Sequence, residues 1–486
     1  MSAPLEILLR DARIDLVLAR IEKDESIINE IINHIDNNIR SIKFNAIHVL
    51  GELGQKSKNS ISKLRKCLED DDWSIRREAV RSLGKIGEIA KDTIPQVSIM
   101  LKDKEESIRS EAAISLGKIK NPTNEAISSL IEVLNDNSEI VRTEVAKALG
   151  EIGADAYEAI PFLMKSLKDV SWTVRTSSAQ SISQIGKGST KAIPSLIKAL
   201  EDKDWRVRFR VSNTLAELGK EVIPNLVSIL HHKDKFVRKC VVDILGEMKL
   251  TDQNIMDNIS KLLHDKAEIV RGKAADALRS IGKDAVPILN REIESASLKM
   301  KKIIISALGG IGTDAKEAIP TLISLLKVPE QLYIEHMLGM GLWKVISYKS
   351  KHSILTFIND PFRRNVSVRV EVARALGKIG VDSEDAIRAL EFALYDPRSI
   401  VRREAALSLG KLGLLAKNAV PSLIKSLQDK NPDVRWRSSE ALGVLGVNTE
   451  EVISSLNELI HDECDFVCES AINALDALTE EEQKYY

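Results

Sequence analysis

The chain is poor in cysteine: Cys67, Cys240, Cys464 and Cys468 are the only four in 486 residues, too scattered for a disulfide framework. A reducing compartment is the expectation. Aromatic residues make up 4% of the chain, whereas sheet-rich folds draw heavily on aromatic side chains, so packed helices are favoured. Apolar runs of roughly eighteen residues, the length of a membrane span, are missing, and Glu6, Arg10 and Asp11 interrupt any signal-peptide core. A cytoplasmic protein without membrane insertion follows as the expectation. The formal net charge of -1 removes the uniformly basic surface of a non-specific nucleic-acid binder. Also missing are a glycine-rich phosphate loop, a Ser/His/Asp arrangement and a paired-carboxylate cleft, so neither a catalytic residue nor a cofactor is expected.

What the chain has is a beat. A glycine-punctuated helix end recurs, as in Leu50-Gly51-Glu52-Leu53-Gly54 and Leu442-Gly443-Val444-Leu445-Gly446. The apolar residue before the first glycine falls at 50, 83, 116, 149, 182, 215, 245, 278, 308, 342, 376, 409, 442 and 475, a period of 33 with excursions to 30 and 34. Such a period marks a solenoid, whose core grows lengthwise because each repeat contacts its neighbours. One elongated all-α body is expected, a right-handed superhelix of about 14 stacked two-helix repeats.

Each unit reads as a helical hairpin. Eight residues before the terminal leucine the second helix is apolar in every copy, from Ile42, Ile75 and Ile108 to Val434 and Val467, and small or β-branched residues such as Ala79, Ala112 and Val211 follow one turn later on the same face. The glycine after the leucine removes a side chain where the next helix would press, and the second glycine sits where a left-handed residue ends a helix. Pro95, Pro161, Pro194, Pro224, Pro287, Pro320 and Pro421 either start or bend the first helix. Seven residues before the leucine a Lys or Arg recurs, and in eight copies a turn aspartate precedes it by six: Asp70/Arg76, Asp103/Arg109, Asp136/Arg142, Asp169/Arg175, Asp202/Arg208, Asp265/Arg271, Asp396/Arg402 and Asp429/Arg435. The arginine can reach a turn aspartate in its own or the neighbouring repeat, which reads as a structural ladder.

The proline, the aspartate eight residues on, the arginine six further and the Ala-Leu-Gly-x-Ile-Gly ending, as in Pro421/Asp429/Arg435, resemble a HEAT-repeat protein of the armadillo-type class. The short units are similar to the HEAT-like repeats of phycobilisome lyases, and the resemblance spans roughly residues 25–479. It implies an α-solenoid and leaves function open, since the family includes scaffolds, adaptors, chromophore lyases, a di-iron hydroxylase and DNA-binding enzymes. The hydroxylase-type members hold two irons through His-Glu dipeptides; here none of the eight histidines is followed by Glu.

The pattern divides the chain into capping helices over 1–34, HEAT-like repeats over 35–330, a divergent aromatic and basic repeat over 331–365, HEAT-like repeats over 366–448 and an acidic capping repeat over 449–486. Where the beat falters, candidate partner-binding residues gather: Tyr333, Met337, Met340, Trp343, Tyr348, Lys349, Lys351, Arg363 and Arg364 combine the residue types of interface hot spots. A repacked core is the alternative for that segment. Trp172 and Trp205 share a register with Trp73 at the mouth of the second helix, where a tryptophan seals the groove between repeats or, exposed, anchors a partner. Arg210 belongs to a local basic stretch of Arg206, Arg208, Lys233, Lys235, Arg238 and Lys239. Charges of alternating sign along the second helices, such as Arg77, Glu78, Arg81 and Glu404, read as a solvated face. His461, Cys464 and Cys468 form a weak metal-ligand pattern with no second pair.

The sequence therefore points to a non-enzymatic scaffold or adaptor, monomeric on its own, that binds another protein or a peptide segment on its helical surface. A HEAT-like lyase or other enzyme subunit acting on a protein-bound group is the alternative, and nucleic-acid binding a lesser one.

Overall fold

The computed structural model describes residues 4–120, 122–186, 188–326 and 365–483. These residues divide into two compact units, Met1–Met248 and Lys249–Tyr486. Each is a stack of helical hairpins, and helices are the only regular secondary structure among the described residues. The second helices of the first unit are α1 (Arg40–Glu52), α2 (Trp73–Ile86), α3 (Glu106–Ile119), α4 (Glu139–Ile152), α5 (Trp172–Ile185), α6 (Trp205–Glu217) and α7 (Lys235–Glu247). Those of the second unit are α8 (Glu268–Ile281), α9 (Leu298–Ile311), α10 (Val366–Ile379), α11 (Ser399–Leu412), α12 (Pro432–Leu445) and α13 (Asp465–Gln483). The all-α solenoid expected from the beat is thus present in both units.

The apolar stripe builds the core. Ile42, Ile75, Ile108, Val141, Val174 and Val207 are buried, as are Leu50, Leu83, Leu116, Leu149 and Leu215. Each such side chain contributes about 1.5–3 kcal/mol relative to an exposed one. Every proline of the first helices is the second residue of its helix, as in Ile160–Ser166 and Val420–Ser426, so proline starts these helices and bends none of them. The glycine after the leucine lies against the next layer: a Cβ on Gly51 would stand 3.0 Å from the Ser82 Cα, and one on Gly309 would stand 3.2 Å from the Ala375 Cα. The serine opposite uses that closeness. Ser82 Oγ donates to the Ile47 carbonyl at 2.9 Å, and Ser115 Oγ repeats the bond to Val80. Gly309 and Ala375 also place α9 directly against α10, and the residues between Leu326 and Asn365 lie outside the described ones.

The second glycine departs from the expected left-handed helix cap. Gly87 has φ 75 and ψ -144, and Gly153 has φ 76 and ψ -139. This is a region essentially reserved for glycine, because a Cβ would clash with the backbone on either side. Among these caps Gly446, with φ 66 and ψ 19, is in the left-handed helical region. The extended ψ turns the chain sharply out of the second helix into the tight 3-10 turn that opens the next hairpin.

The ladder takes the neighbouring repeat. Arg76 donates from Nε and Nη2 to the Asp103 carboxylate at 2.9 and 3.3 Å, while its Nη1 donates to the Asp70 carbonyl at 2.8 Å. The same fork joins Arg109 to Asp136, Arg142 to Asp169 and Arg175 to Asp202. In the second unit it joins Arg369 to Asp396, Arg402 to Asp429 and Arg435 to Asp462. Each arginine of the eight sequence pairs therefore holds the main chain of its own aspartate; Arg208 and Arg271 do this too, through the Asp202 and Asp265 carbonyls. The aspartate meanwhile accepts the N–H two residues on, as Asp136 does from Ser138 at 2.8 Å. Burial alone would raise the Asp103, Asp136 and Asp169 carboxyls, but the arginine fork and this N–H outweigh it and hold them below the usual range.

Candidate interaction surface

The charged residues along the second helices do not form a simple solvated face. Glu78, Glu111 and Glu404 are buried and locked between layers: His48 Nδ1 lies 2.8 Å from Glu78, Arg81 reaches Glu111 at 3.0 Å, and Arg374 reaches Glu404 at 3.0 Å. These glutamates stand five residues before the terminal leucine, as Glu144 does, and that line points toward the adjacent layer. The expectation of a solvated stripe fails there because the small residues of the core bring the layers close enough for the carboxylates to be shared.

At α5–α7 the scheme changes. The position of the buried glutamates is taken by Ser177, Arg210 and Cys240. The ladder also loses its anion: His232 replaces the turn aspartate, and its Nδ1 accepts the Asp234 N–H at 3.2 Å as an aspartate would, but no carboxylate stands there for Arg208. The Arg208 guanidinium lies instead over the Phe236 ring, 4.8 Å from its centroid. Arg206 lies over Trp172 at 3.5 Å and forms a fork with Asp204 at 3.0 and 2.7 Å. That fork holds the Asp204 carboxyl down at about 2. Among the described residues Arg210, half-buried, makes no hydrogen bond or ion pair.

Aromatic side chains surround these arginines in the open. Trp205 is 66% exposed and Phe209 58%, with Trp172 and Phe236 just over a third exposed. The tryptophan register is therefore not a seal: Trp73 is also exposed. It lies at the first residue of each of these helices, directly after the turn. The structure places Trp172 on α5 and Trp205 and Arg210 on the next layer, α6, and adds Arg206 against Trp172, Arg208 against Phe236 of α7, and the exposed Phe209 of α6. The sequence signal for Phe209 is an aromatic–arginine pair six and five residues before the terminal leucine, found in two copies, Phe209-Arg210 and Trp436-Arg437.

Tyr333, Met337, Met340, Trp343, Tyr348, Lys349, Lys351, Arg363 and Arg364 lie outside the described residues. At the other end, His461, Cys464 and Cys468 are not gathered as ligands. Cys468 donates from Sγ to the Asp462 carbonyl at 3.1 Å, and the group that does come within 4.8 Å is Asp462, Glu463 and Cys464. Both of its carboxylates are engaged by Arg435, at 2.7 and 3.2 Å. Burial pushes the Cys67 thiol up to about 11 and raises Cys240, which disfavours the thiolate at both.

Among the described residues no helix is long and apolar enough to cross a membrane. Comparison with curated proteins finds no match. Among solved structures, an engineered protein is 20% identical, covering 40% of this chain and 97% of its own, with a TM-score of 0.33. The complex of CpcE and CpcF of phycocyanin lyase from Nostoc sp. PCC7120 is 21% identical over 55% of this chain and 94% of its own, with a TM-score of 0.31. Kap95p, from a structure concerning its binding of RanGDP, is 12% identical over 94% of this chain and 72% of its own, with a TM-score of 0.43. The sequence profile of HEAT repeats matches residues 26–97, 94–183, 160–239, 193–256, 353–431 and 392–476. With that profile running through most of its length and the hairpin stack in both units, the chain belongs to the HEAT-repeat family.

Proposed function

We propose that this protein is a non-enzymatic scaffold or adaptor whose α5–α7 surface binds a segment of another protein that carries both acidic and apolar side chains. The observation that carries the reading is the set of exposed Trp205, Phe209 and Phe236 with Arg208, whose ladder aspartate is replaced by His232, and Arg210, which stands where other layers carry a buried glutamate. Exposed aromatics with arginine supply most of the energy of protein interfaces, and an arginine without a partner recognises a carboxylate through a planar fork. A polyanion is the weaker fit. Asp202, Asp204 and Asp243 are interleaved with the arginines, engaging Arg175, Arg206 and Lys239, and they break the positive stripe that a phosphate backbone would need.

The reading is tested by placing a photo-crosslinking amino acid at Phe209, and separately at Tyr157, which is exposed in the turn before the Ile160–Ser166 helix. In the native cell the Phe209 position should trap one protein partner through an acidic segment, and the Tyr157 position should not. Trapping of nucleic acid at Phe209, or equal trapping at both positions, would contradict the reading.

A further inference from the structure

The second aromatic–arginine pair, Trp436-Arg437, sits in the other unit in surroundings of opposite charge. Trp436 on α12 and Phe466 on α13 meet edge to face, with centroids 5.8 Å apart and planes at 79°. They line a cleft of about 360 Å3 together with Gly443, Val444 and Ala474 and the carboxylates Glu440 and Glu469. That volume lies at the small end of ligand pockets, roughly 300–1,000 Å3, and suits one long side chain. Glycine is required at 443, where a Cβ would stand 2.9 Å from the Ala474 Cα. Val444 is 60% exposed and Phe466 42%, so the apolar lining faces outward.

The charges say what would fill it. Arg437 lies over Trp436 at 3.6 Å and pairs with Glu440 at 2.5 Å, so the indole already accepts a guanidinium on its face. Glu469 makes no ion pair among the described residues. In sequence, residues 449–486 hold eleven acidic side chains and one basic one. Lys411 lies beyond Val444, on the far side of Glu440 from Glu469, and gives the surface a polarity along the stack. Two orthogonal rings favour a cation placed against them, and a carboxylate in the lining fixes its charged end.

We infer that the Trp436–Phe466 cleft is a docking site for a lysine or arginine side chain of a basic partner segment, with its stem along the rings and its cation at Glu469. It is independent of the α5–α7 surface, which selects the opposite charge. A solenoid with two such sites would hold an acidic segment on one unit and a basic one on the other.

The test uses the full chain with 15N-labelled tryptophan, the Trp436 indole signal being identified by its loss in Trp436→Phe. The probes are the peptide Gly-Ser-Ala-Arg-Leu-Lys-Ala-Ser-Gly and its counterpart with Glu in place of Arg and Lys. The basic peptide should shift the Trp436 indole in a saturable, salt-sensitive way; Glu469→Gln should weaken it about fivefold, the upper range for an exposed ion pair, with helicity unchanged. Phe466→Leu, which keeps an apolar residue at the wall, should weaken it further without loss of fold. No Trp436 shift at millimolar basic peptide, an equal shift with the acidic one, or binding indifferent to Glu469→Gln would overturn the inference.

Discussion

Arg142 ties two repeats together through one side chain: its Nε and Nη2 donate to Asp169 of the next repeat at 2.8 and 2.9 Å, and its Nη1 donates to the Asp136 carbonyl of its own at 2.8 Å. Both charged side chains are nearly buried, 11% and 13% exposed. Replacing Arg142 with Ala strands Asp169 without its cation and should destabilise the α4–α5 joint by about 2–4 kcal/mol, a little under the roughly 3–5 kcal/mol of fully buried pairs because both groups keep some exposure. Arg208→Ala, at a layer lacking the carboxylate, should cost about 1 kcal/mol or less. Hydrogen exchange of the flanking helices measures both, because a repeat array opens joint by joint.

Lowered carboxyl pKa values make the ladder acid-sensitive. Asp103, Asp136 and Asp169 hold their charge in the folded chain to lower pH than in the unfolded chain. As pH falls through the folded values, below about 4, the unfolded state binds more protons and stability is lost. Above the unfolded values the contribution is fully present, so these aspartates should give no slope from about pH 5 to 8. Urea midpoints measured at a series of pH values should fall in that acid window, and Asp136→Asn should flatten the fall.

Two glycine replacements should act in opposite directions. A Cβ on Gly84 would stand 2.9 Å from the Ser115 Cα, where backbone must move, whereas one on Gly272 meets nothing within 4 Å. Gly84→Ala should therefore destabilise by about 1–3 kcal/mol. Gly272→Ala, within α8, should stabilise by about 0.5–1 kcal/mol by removing backbone freedom from the unfolded chain. Thermal melting of the two variants separates the packing role from helix propensity.

The fold was legible because its determinants repeat. The apolar residue eight before the leucine, the packing glycine and the proline at the helix start each recur often enough to be recognised without any contact being seen. The ladder was legible only as a list of residues. Whether Arg76 would take Asp70 or Asp103 depends on the separation of layers, which sequence spacing does not contain. The surface was the least legible part, because Phe209 and Phe236 matter through their exposure, and exposure at the second-helix face depends on what the neighbouring layer puts opposite. Glu78 and Arg210 occupy the same register, yet the first is buried with His48 while the second is left without a carboxylate. His232, which looks like an ordinary turn residue, is the residue that leaves Arg208 without a carboxylate.

Exposed aromatics that anchor a partner should be dispensable for folding. Trp205→Ala and Phe209→Ala should each leave melting within about 0.5 kcal/mol of the parent protein, the usual range for surface positions. Val207→Ala, at a buried position between them, should cost at least about 1–2 kcal/mol.

The most direct measurement is fluorescence anisotropy of a labelled twelve-residue peptide alternating Glu with Leu and Phe, titrated with the full chain and with its Arg210→Glu and Trp205→Ala/Phe209→Ala variants. Saturable binding that weakens about tenfold or more in either variant, with melting unchanged, is the result expected of a surface whose aromatic and arginine residues act as hot spots. Binding equal in all three proteins, or a single-stranded oligonucleotide that outcompetes the peptide with a steep salt dependence, would contradict a protein-binding role for α5–α7.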